Sequence, residues 1–368
     1  MKNRIDVNKF RRSNSFYPRI SCLATVKSFD LQSIRKRYLE SKKRGQKSGS
    51  VERRKVGLGG LVSFNLYNGS LQDVNLLTKI KEPRGIDFLN SSTALSSENV
   101  VYVQNKNKTY KIENEWFSYI HTTKFNPFDE RKILIASSGF DLIFEYDFIT
   151  QSKTFEWCAW ENGLQQTIDP LSGEKVFLTR EPAEKELLMK KNYSSKLIQN
   201  PRRESLPTAM RAAFINSVAY HPNDENKILA TLFHKGQVIE IDRRSGQFEI
   251  VIDQLSHPHG GAFVKDQYVA TSTASGEVFI EDSSEKKIFD FRALAGKPQE
   301  LSRQSWLQNT LFLSKKLMIV IDSNRTQFHI IDLHSELIDS IRYDENWAVQ
   351  DIIQTSDQAN HQWIKALT

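Results

Sequence analysis

Two histidines lie one residue apart in the stretch LSHPHGGAF, at residues 255–263. His257 and His259 precede a glycine pair and an apolar run, so this spacing suits a metal site, a catalytic pair or a tight turn. Neutral imidazole is a common ligand of transition metals, and histidine also acts as a general base or nucleophile. His121, at the start of the stretch HTTKFNP, is a second candidate for such chemistry. The local sequence does not decide between these roles, which depend on the elements that position the histidines.

These histidines fall within an internal repeat, which predicts the fold. Each unit has an apolar β-rich run, a short polar turn and a second alternating run that ends in an acid, which is typical of a β-hairpin. Five such hairpins occupy residues 100–113, 133–147, 228–242, 268–282 and 318–332. A short strand precedes each hairpin, at residues 84–89, 121–127, 216–222, 259–264 and 308–313. A fourth strand follows most hairpins, at residues 154–160, 247–252, 286–291 and 336–341.

Four antiparallel strands per unit predict an all-β fold of the β-propeller type. A four-stranded meander buries both faces only against neighbouring units, so the units must close into a ring. Strands at residues 19–26, 60–69 and 71–80 join a lone C-terminal strand at residues 346–355 to complete one further unit. The prediction is a single β-propeller domain over residues 1–368 with six four-stranded blades, closed by N- and C-terminal strands. Five and seven blades are the alternatives.

Two segments fit no blade. Residues 30–57 form a basic insertion in the composite blade, and residues 161–213 form a long connection between two blades. Long loops within compact domains are commonly functional, and the second segment contains apolar and aromatic side chains. We expect it to lie like a lid over the mouth of the central channel, and we expect the basic insertion to be solvated.

The composition, 39% hydrophobic and 26% charged, indicates a globular protein. Residues 1–55 contain 17 Lys and Arg against 4 Asp and Glu, so the net charge of +7 arises from this region. Aromatic residues are not interleaved with these charges, and nucleic-acid binding is therefore not expected. No segment has the roughly 18 consecutive apolar residues of a membrane span, and no secretory signal is apparent. With two distant cysteines and no disulfide framework, a cytoplasmic location is expected.

Alignment of the innermost strands places one polar residue of each blade at the same level. These residues are Arg84, His121, Asn216, His259, Gln308 and Gln350. Because innermost strands line the channel of a propeller, these side chains are expected to ring one channel mouth, where a small-molecule ligand would bind. Arg211, near the end of the long connection, and His257, just before the ring, are further candidates for substrate binding.

Three kinds of chemistry are compatible with this ring. His121, His259 and His257 are candidate ligands of a transition metal, although the cofactor cannot be identified from the sequence. Alternatively, a histidine acts as nucleophile or general base while Arg84 or Arg211 holds an anionic group. In the third interpretation the ring binds a ligand or a protein partner without catalysis, as scaffold propellers do.

Other catalytic signatures are absent from the sequence. The chain contains no GxxxxGK[ST], GxSxG, HExxH or CxxC motif. Asp141 and Glu145 occupy alternate positions of one strand, and we expect them to face solvent rather than to form an acid–base pair.

Two stretches resemble known propeller families. Residues 121–160, HTTKFNPFDERKILIASSGFDLIFEYDFITQSKTFEWCAW, resemble a blade of bacterial arylsulfotransferase-like propellers, in which a histidine opens the inner strand. The stretch LSHPHGGAFVKDQYVATSTASGEVFIED resembles blades of NHL and gluconolactonase-type six-bladed propellers. In the arylsulfotransferases, channel histidines and an arginine carry sulfuryl transfer, so the resemblance implies catalytic roles for His121, His259 and Arg84.

The chain also departs from these families. It lacks the secretory signal and structural disulfide of the first, and the metal-binding carboxylate and asparagine set of the second. The resemblance, over residues 60–355, therefore supports the fold more than the activity. We expect a small-molecule site at the channel mouth, in an enzyme of transferase or lyase type. The alternative is a non-catalytic protein-interaction scaffold.

Overall fold

The computed structural model describes residues 2–43, 49–52, 56–106 and 108–355, and the all-β propeller class is confirmed. Parts of the predicted basic insertion, residues 44–48 and 53–55, lie outside the described residues, as do residues 356–368 of the predicted domain. The N-terminal part forms β1 (Lys2–Asp6), β2 (Arg11–Arg12), β3 (Ile20–Val26), α1 (Leu31–Lys43), β4 (Leu58–Tyr67) and β5 (Ser70–Lys81).

The middle of the chain forms two four-stranded sheets and then the long connection. The sheets contain β6 (Ile86–Leu89), β7 (Ser92–Ser96), β8 (Val100–Asn105), β9 (Lys108–Glu113), β10 (Ile120–Phe125), β11 (Lys132–Ser137), β12 (Leu142–Asp147) and β13 (Ser152–Cys158). The connection contains β14 (Gln166–Ile168), β15 (Lys175–Thr179), α2 (Pro182–Lys190) and β16 (Ser195–Leu197).

The remaining strands form three sheets and the strand that closes the ring. They are β17 (Ile215–Tyr220), β18 (Lys227–Leu232), β19 (Gln237–Asp242), β20 (Phe248–Ile252), β21 (Pro258–Val264), β22 (Gln267–Ser272), β23 (Glu277–Glu281), β24 (Lys286–Asp290), β25 (Leu307–Phe312), β26 (Leu317–Asp322), β27 (Gln327–Asp332), β28 (Leu337–Arg342) and β29 (Val349–Gln354).

Within the described residues, six sheets contain four antiparallel strands in meander order. They are β6–β9, β10–β13, β17–β20, β21–β24, β25–β28, and β29 with β3–β5. Their innermost strands contact one another in the cyclic order β6, β10, β17, β21, β25, β29 and back to β6. Antiparallel pairing of β29 with β3 joins strands from the two ends of the chain, which closes the ring as predicted.

The strand assignment from sequence misses six strands, namely β1, β2, β7 and the three strands β14–β16 of the long connection. β7 was not recognised because its sequence, STALS, has no apolar–polar alternation, and all five of its residues are buried. The predicted hairpin at residues 100–113 is consequently the third and fourth strands of its sheet, not the second and third. β1 and β2 were also missed, and they pair in parallel with the outer strands β24 and β28.

Repeated acids at the ends of strands cap the turns that follow them. Asp147, Asp242, Asp282 and Asp332 each accept hydrogen bonds from the backbone N–H groups two and three residues ahead. Such turns are a characteristic use of aspartate, because its short carboxylate reaches the backbone locally. The acids found in the sequence repeat are therefore structural residues.

Both faces of the sheets are covered by neighbours, which explains why two predicted surface acids are buried. Asp141 and Glu145 are fully buried, so the expectation that they face solvent is wrong. Glu145 lies 2.8 Å from the hydroxyl of Tyr220 and 2.6 Å from Nη2 of Arg243, which compensate its charge across two sheets. A buried carboxylate requires such partners.

The long connection packs against residues of the second and third sheets. Its strands form a small sheet in the order β14, β15, β16, and its buried residues Leu178 and Ile198 belong to the same apolar cluster as those sheets. None of the described helices is both long and apolar enough to cross a membrane.

Candidate functional site

A cavity of about 460 Å³ lies where the innermost strands begin. Most of the predicted site residues line it, namely Arg84, His121, Arg211, His257, His259, Gln308 and Gln350. Asn216 is the exception, because it is buried and its Nδ2 donates to the carbonyl oxygen of Pro258 across 2.7 Å. Asn216 therefore joins two neighbouring blades, and its predicted role in substrate binding is not supported.

The residues aligned from the sequence are hereafter the polar ring (Arg84, His121, Asn216, His259, Gln308 and Gln350). All of them except Arg84, which precedes β6, sit at irregularities of the strands. The pairing of an innermost strand with the next strand shifts across one residue at His121, at Asn216 and at Gln350. A comparable shift spans Gln308 and another follows His259. A β-bulge leaves its extra residue outside the ladder and redirects that side chain. These bulges place polar side chains at the mouth of the channel.

A second set of residues precedes the polar ring by two positions in every blade. We call it the outer ring, and it consists of Glu82, Tyr119, Phe214, His257, Trp306 and Ala348. Four of these residues, Glu82, Tyr119, Phe214 and His257, share a left-handed backbone with φ between +41° and +53°. Sequence reasoning identified only His257, although the same alignment extended by two residues contains the whole set.

Arg84 links the two rings through a pair of buried contacts. Its Nη2 lies 2.9 Å from Oε2 of Glu82, and its Nη1 lies 2.9 Å from Nε2 of His121. His121 Nδ1 lies 2.9 Å from the carbonyl oxygen of Tyr119. The carbonyl can only accept, which assigns the proton to Nδ1 and leaves Nε2 to accept from Arg84. Burial and the adjacent Arg84 cation hold the pKa of His121 well below its ordinary value, so this imidazole is neutral.

His259 occupies the equivalent position two blades away. Its Nδ1 lies 2.7 Å from Oγ1 of Thr273. Burial, together with the Lys27 cation, lowers the pKa of His259 to about 3. Both histidines of the polar ring are thus neutral at physiological pH. Because an efficient general base has a pKa near the working pH, they act as hydrogen-bonding groups in this site.

Arg211 supplies a second buried cation to the cavity. Its guanidinium carbon lies 4.4 Å from the ring centroid of Tyr119 and 4.7 Å from that of Phe214, so two members of the outer ring hold it by cation–π contacts. It is 1% exposed. Its field also contributes to lowering the pKa of His121. The cationic groups Arg84 and Arg211 therefore act on the same region of the cavity.

The buried carboxylate of Asp141 fixes the chain segment that follows Arg211. Its Oδ2 accepts hydrogen bonds from the backbone N–H groups of Ala212 and Ala213, each across 3.0 Å. The same oxygen accepts from Nε1 of Trp160, and Oδ1 accepts from the N–H of Ile215. Asp141 thereby determines how Arg211 enters the cavity.

The basic insertion forms a wall of the cavity, which the sequence did not predict. α1 contributes Tyr38 and Arg37, and residues 49–52 line the same space. Of the long connection, all of which is described, Thr208 and Arg211 line the cavity. The expectation of a wholly solvated insertion is therefore wrong.

Buried contacts attach this insertion to the propeller. Arg35 is 5% exposed and its Nη2 donates to the carbonyl oxygens of Ser323 and Asn324, across 2.6 and 2.9 Å. Beyond α1, the carbonyl oxygen of Ser50 accepts from the N–H of Ala209 across 3.1 Å. The insertion is therefore attached to the rest of the chain at two points.

The three predicted metal ligands do not form a metal centre. His257 stacks on Phe233, with ring centroids 4.6 Å apart, and the Nε2 lone pair of His121 faces Arg84. In the part of the chain that the structure describes, no group of three or more His, Cys, Asp and Glu could hold a metal ion. The guanidinium groups of Arg84 and Arg211 would also repel a cation.

Comparisons with known proteins place the chain by its fold. No protein-family model and no curated protein matches the sequence. Among solved structures, a chain in the crystal structure of a nidogen/laminin complex is similar with a TM-score of 0.53 and 8% identity, over 91% of this chain and 97% of that chain. At this identity, the similarity supports the propeller fold alone.

Two structures of virginiamycin B lyase from Staphylococcus aureus are also similar. The first has a TM-score of 0.44 and 9% identity, over 71% of this chain and 69% of that chain. The second, of a catalytically inactive variant with quinupristin, has a TM-score of 0.43 and 11% identity, over 71% of this chain and 70% of that chain.

Proposed function

We propose that this protein binds a small anionic molecule in the cavity at the channel mouth. The observation that carries the proposal is the convergence of two buried guanidinium groups, Arg84 and Arg211, on that cavity. Guanidinium groups recognise carboxylate, sulfate and phosphate through paired, charge-assisted hydrogen bonds. In a site that excludes bulk water such contacts are stronger than at a surface.

The neutral histidines of the polar ring complete the site. His121 lies beside Arg84, with its Nε2 2.9 Å from Nη1 of that arginine. An anion bound near His121 and His259 would raise the pKa of each imidazole, because it favours the protonated form. Binding of the ligand would thus turn two weak bases into groups that can move a proton.

This coupling leads to the catalytic form of the proposal. We propose a transferase or lyase reaction in which Arg84 and Arg211 hold the anionic group, and His121 or His259 accepts or donates the proton. Under this proposal, His121→Gln and His259→Gln reduce turnover while the ligand still binds. A non-catalytic scaffold is the alternative, and exposed Leu187 and Met189 on α2 would suit a protein partner.

Calorimetric titration of the full chain with inorganic phosphate, sulfate and acetate tests the anion site. We expect at least one anion to bind, and we expect Arg211→Met to weaken it about tenfold or more, since hydrogen bonds to charged groups have this magnitude. Arg84→Lys keeps the charge and loses the paired geometry, so it should weaken binding less. Arg131→Met, at an exposed surface arginine paired with Asp147, is the matched control.

Each variant is first compared with the unaltered chain by thermal unfolding. If none of the anions binds to the unaltered chain, or if folded Arg211→Met binds as tightly, the anion site is rejected. The scaffold alternative would then be favoured.

A further inference from the structure

We infer that the same cavity contains a subsite for a planar heterocycle with an amide-type edge, so that its ligand combines such a ring with an anionic group. This inference rests on the proposed anion site and names the class of molecule that it takes. The subsite has a face, formed by two aromatic side chains, and an edge, formed by two amide side chains.

Tyr38 and Trp306 form the face. Both line the cavity, and their ring centroids are 5.0 Å apart. Tyr38 belongs to α1, whose residues Leu31 and Ile34 pack with Ala348 and Trp306 in one apolar cluster. The two rings are therefore held in place before a ligand arrives. A flat ring gains area and stacking energy against such a surface without ordering flexible side chains.

Gln308 offers a hydrogen-bond donor to the edge of the ligand. Trp306 Nε1 can only donate, and it lies 2.9 Å from Oε1 of Gln308. This contact fixes the orientation of the amide, so Nε2 of Gln308 is directed away from Trp306. Gln308 lines the cavity, and no described residue accepts a hydrogen bond from its Nε2.

Gln350 offers the complementary acceptor. It is 6% exposed and lines the cavity, and its Oε1 is a buried atom without a hydrogen-bond partner among the described residues. A buried acceptor of this kind is uncommon in a native protein and calls for a donor. A ring that carries a carbonyl next to an N–H would satisfy Gln308 and Gln350 together.

The order of the blades brings this edge beside the cationic groups. The innermost strands β25, β29, β6 and β10 are consecutive in the ring. Gln308, Gln350 and His121 lie on β25, β29 and β10, and Arg84 lies two residues before β6. A single molecule can therefore contact the two amides and the Arg84 cation. A volume of about 460 Å³ is that of a typical small-molecule site.

Three phosphate-bearing probes distinguish the contributions of the aromatic face, the amide edge and the anion site. Uridine monophosphate has the ring, the amide-type edge and the anion; phenyl phosphate lacks the edge; inorganic phosphate has the anion alone. In calorimetric titrations of the full chain, uridine monophosphate should bind about tenfold more tightly than phenyl phosphate. Phenyl phosphate should bind about tenfold more tightly than inorganic phosphate, which is the magnitude of one stacking contact.

Variants assign the preference to particular side chains. Gln308→Met should weaken the binding of uridine monophosphate about tenfold and leave the affinity for phenyl phosphate unchanged. Gln247→Met, at an exposed glutamine, is its matched control. Trp306→Leu should lower the affinity for both ring-bearing probes and leave the affinity for inorganic phosphate unchanged. If Trp306→Leu does not fold because α1 packs on that side chain, Tyr38→Leu provides the same test of the face.

The possible failures are distinct. Equal affinity for uridine monophosphate and phenyl phosphate would reject the proposed role of Gln308 and Gln350 as the amide edge. Equal affinity for all three probes would reject the ring subsite and leave the anion site intact. Failure of all three probes to bind would reject the anion site itself, and the inference with it. Unchanged binding of uridine monophosphate by folded Gln308→Met would also overturn the edge.

Discussion

Arg84 donates to the unprotonated Nε2 of His121 across 2.9 Å, and each of the two side chains is held by the residue two positions before it. Glu82 binds the other amino group of Arg84, and the carbonyl of Tyr119 binds Nδ1 of His121. The repeat thus positions the site in the same way in neighbouring blades. This arrangement keeps His121 neutral and Arg84 charged.

The buried pair of Glu82 and Arg84 should show strong energetic coupling. Glu82→Gln leaves the Arg84 cation without its buried carboxylate, and it should lower the free energy of unfolding by about 3–5 kcal/mol. Replacing both residues by glutamine should cost less than the sum of the single changes. Urea denaturation of the two single variants and the double variant measures the coupling.

The exposed pair of Lys315 and Asp266 is the control for this cycle, because its side chains are 60% and 74% exposed. Its coupling should be close to zero. Equal coupling in the two pairs would contradict the role of burial.

Stability should fall as the pH is lowered from about 7 towards 3. The pKa of His259 is lowered to about 3 by folding, and the pKa of His121 is lowered as well. Between these values and the unfolded pKa of about 6.5, the unfolded chain binds protons that the folded chain does not. Each histidine then contributes up to about 1.4 kcal/mol of lost stability per pH unit.

His259→Gln removes one of these groups, so the difference in urea midpoint between pH 7 and pH 5 should be smaller than in the unaltered chain. His334→Gln, in an exposed turn, should retain the original difference. A larger pH dependence in His259→Gln would show that the assigned direction is wrong.

Asp141→Asn should disturb the cavity from a distance. Asparagine presents an N–H₂ group where Asp141 now accepts from the backbone of Ala212, Ala213 and Ile215. Losing one such buried acceptor should cost about 1–3 kcal/mol of stability. Because the same segment carries Arg211, the affinity for anions should also fall.

Thermal unfolding and anion titration measure the two effects. Asp169→Asn, at a solvent-exposed turn that also accepts backbone N–H groups from Leu171 and Ser172, is the control and should leave anion affinity unchanged. If a destabilised Asp141→Asn chain binds anions as tightly as the unaltered chain, Asp141 does not position Arg211 for binding.

Gly49→Ala should displace the wall that the insertion forms. A Cβ at Gly49 would lie 2.7 Å from Cγ2 of Thr208, which also lines the cavity, and φ is +117° at Gly49. Gly173→Ala, at φ +77° with no atom within 4 Å of the new Cβ, carries backbone strain without the clash. Ligand affinity should therefore fall in Gly49→Ala and not in Gly173→Ala, as titration with the phosphate probes would measure. Equal affinity in both variants would mean that the contact with Thr208 does not shape the site.

Much of the site follows from the repeat alone. Residues 121, 259, 308 and 350 could be aligned from sequence because each lies at the start of an apolar strand, and the periodicity of a strand is local. Asn216 fits the same alignment, yet its side chain donates a hydrogen bond to the carbonyl oxygen of Pro258 in the next blade. The alignment therefore locates a position in the ring but does not determine what the side chain at that position contacts.

The propeller fold, the ring of polar positions and the pairing of both chain ends follow from the sequence, because hydrophobic alternation and turn residues report short-range geometry. Long-range packing brings the basic insertion to the cavity, sets Arg211 against Tyr119 and Phe214, and buries Asp141. These features arise from contacts between residues far apart in the chain, such as Arg35 with Ser323. Burial and the neighbouring charges that it brings together set the protonation of His121 and His259, and neither is encoded in a local pattern.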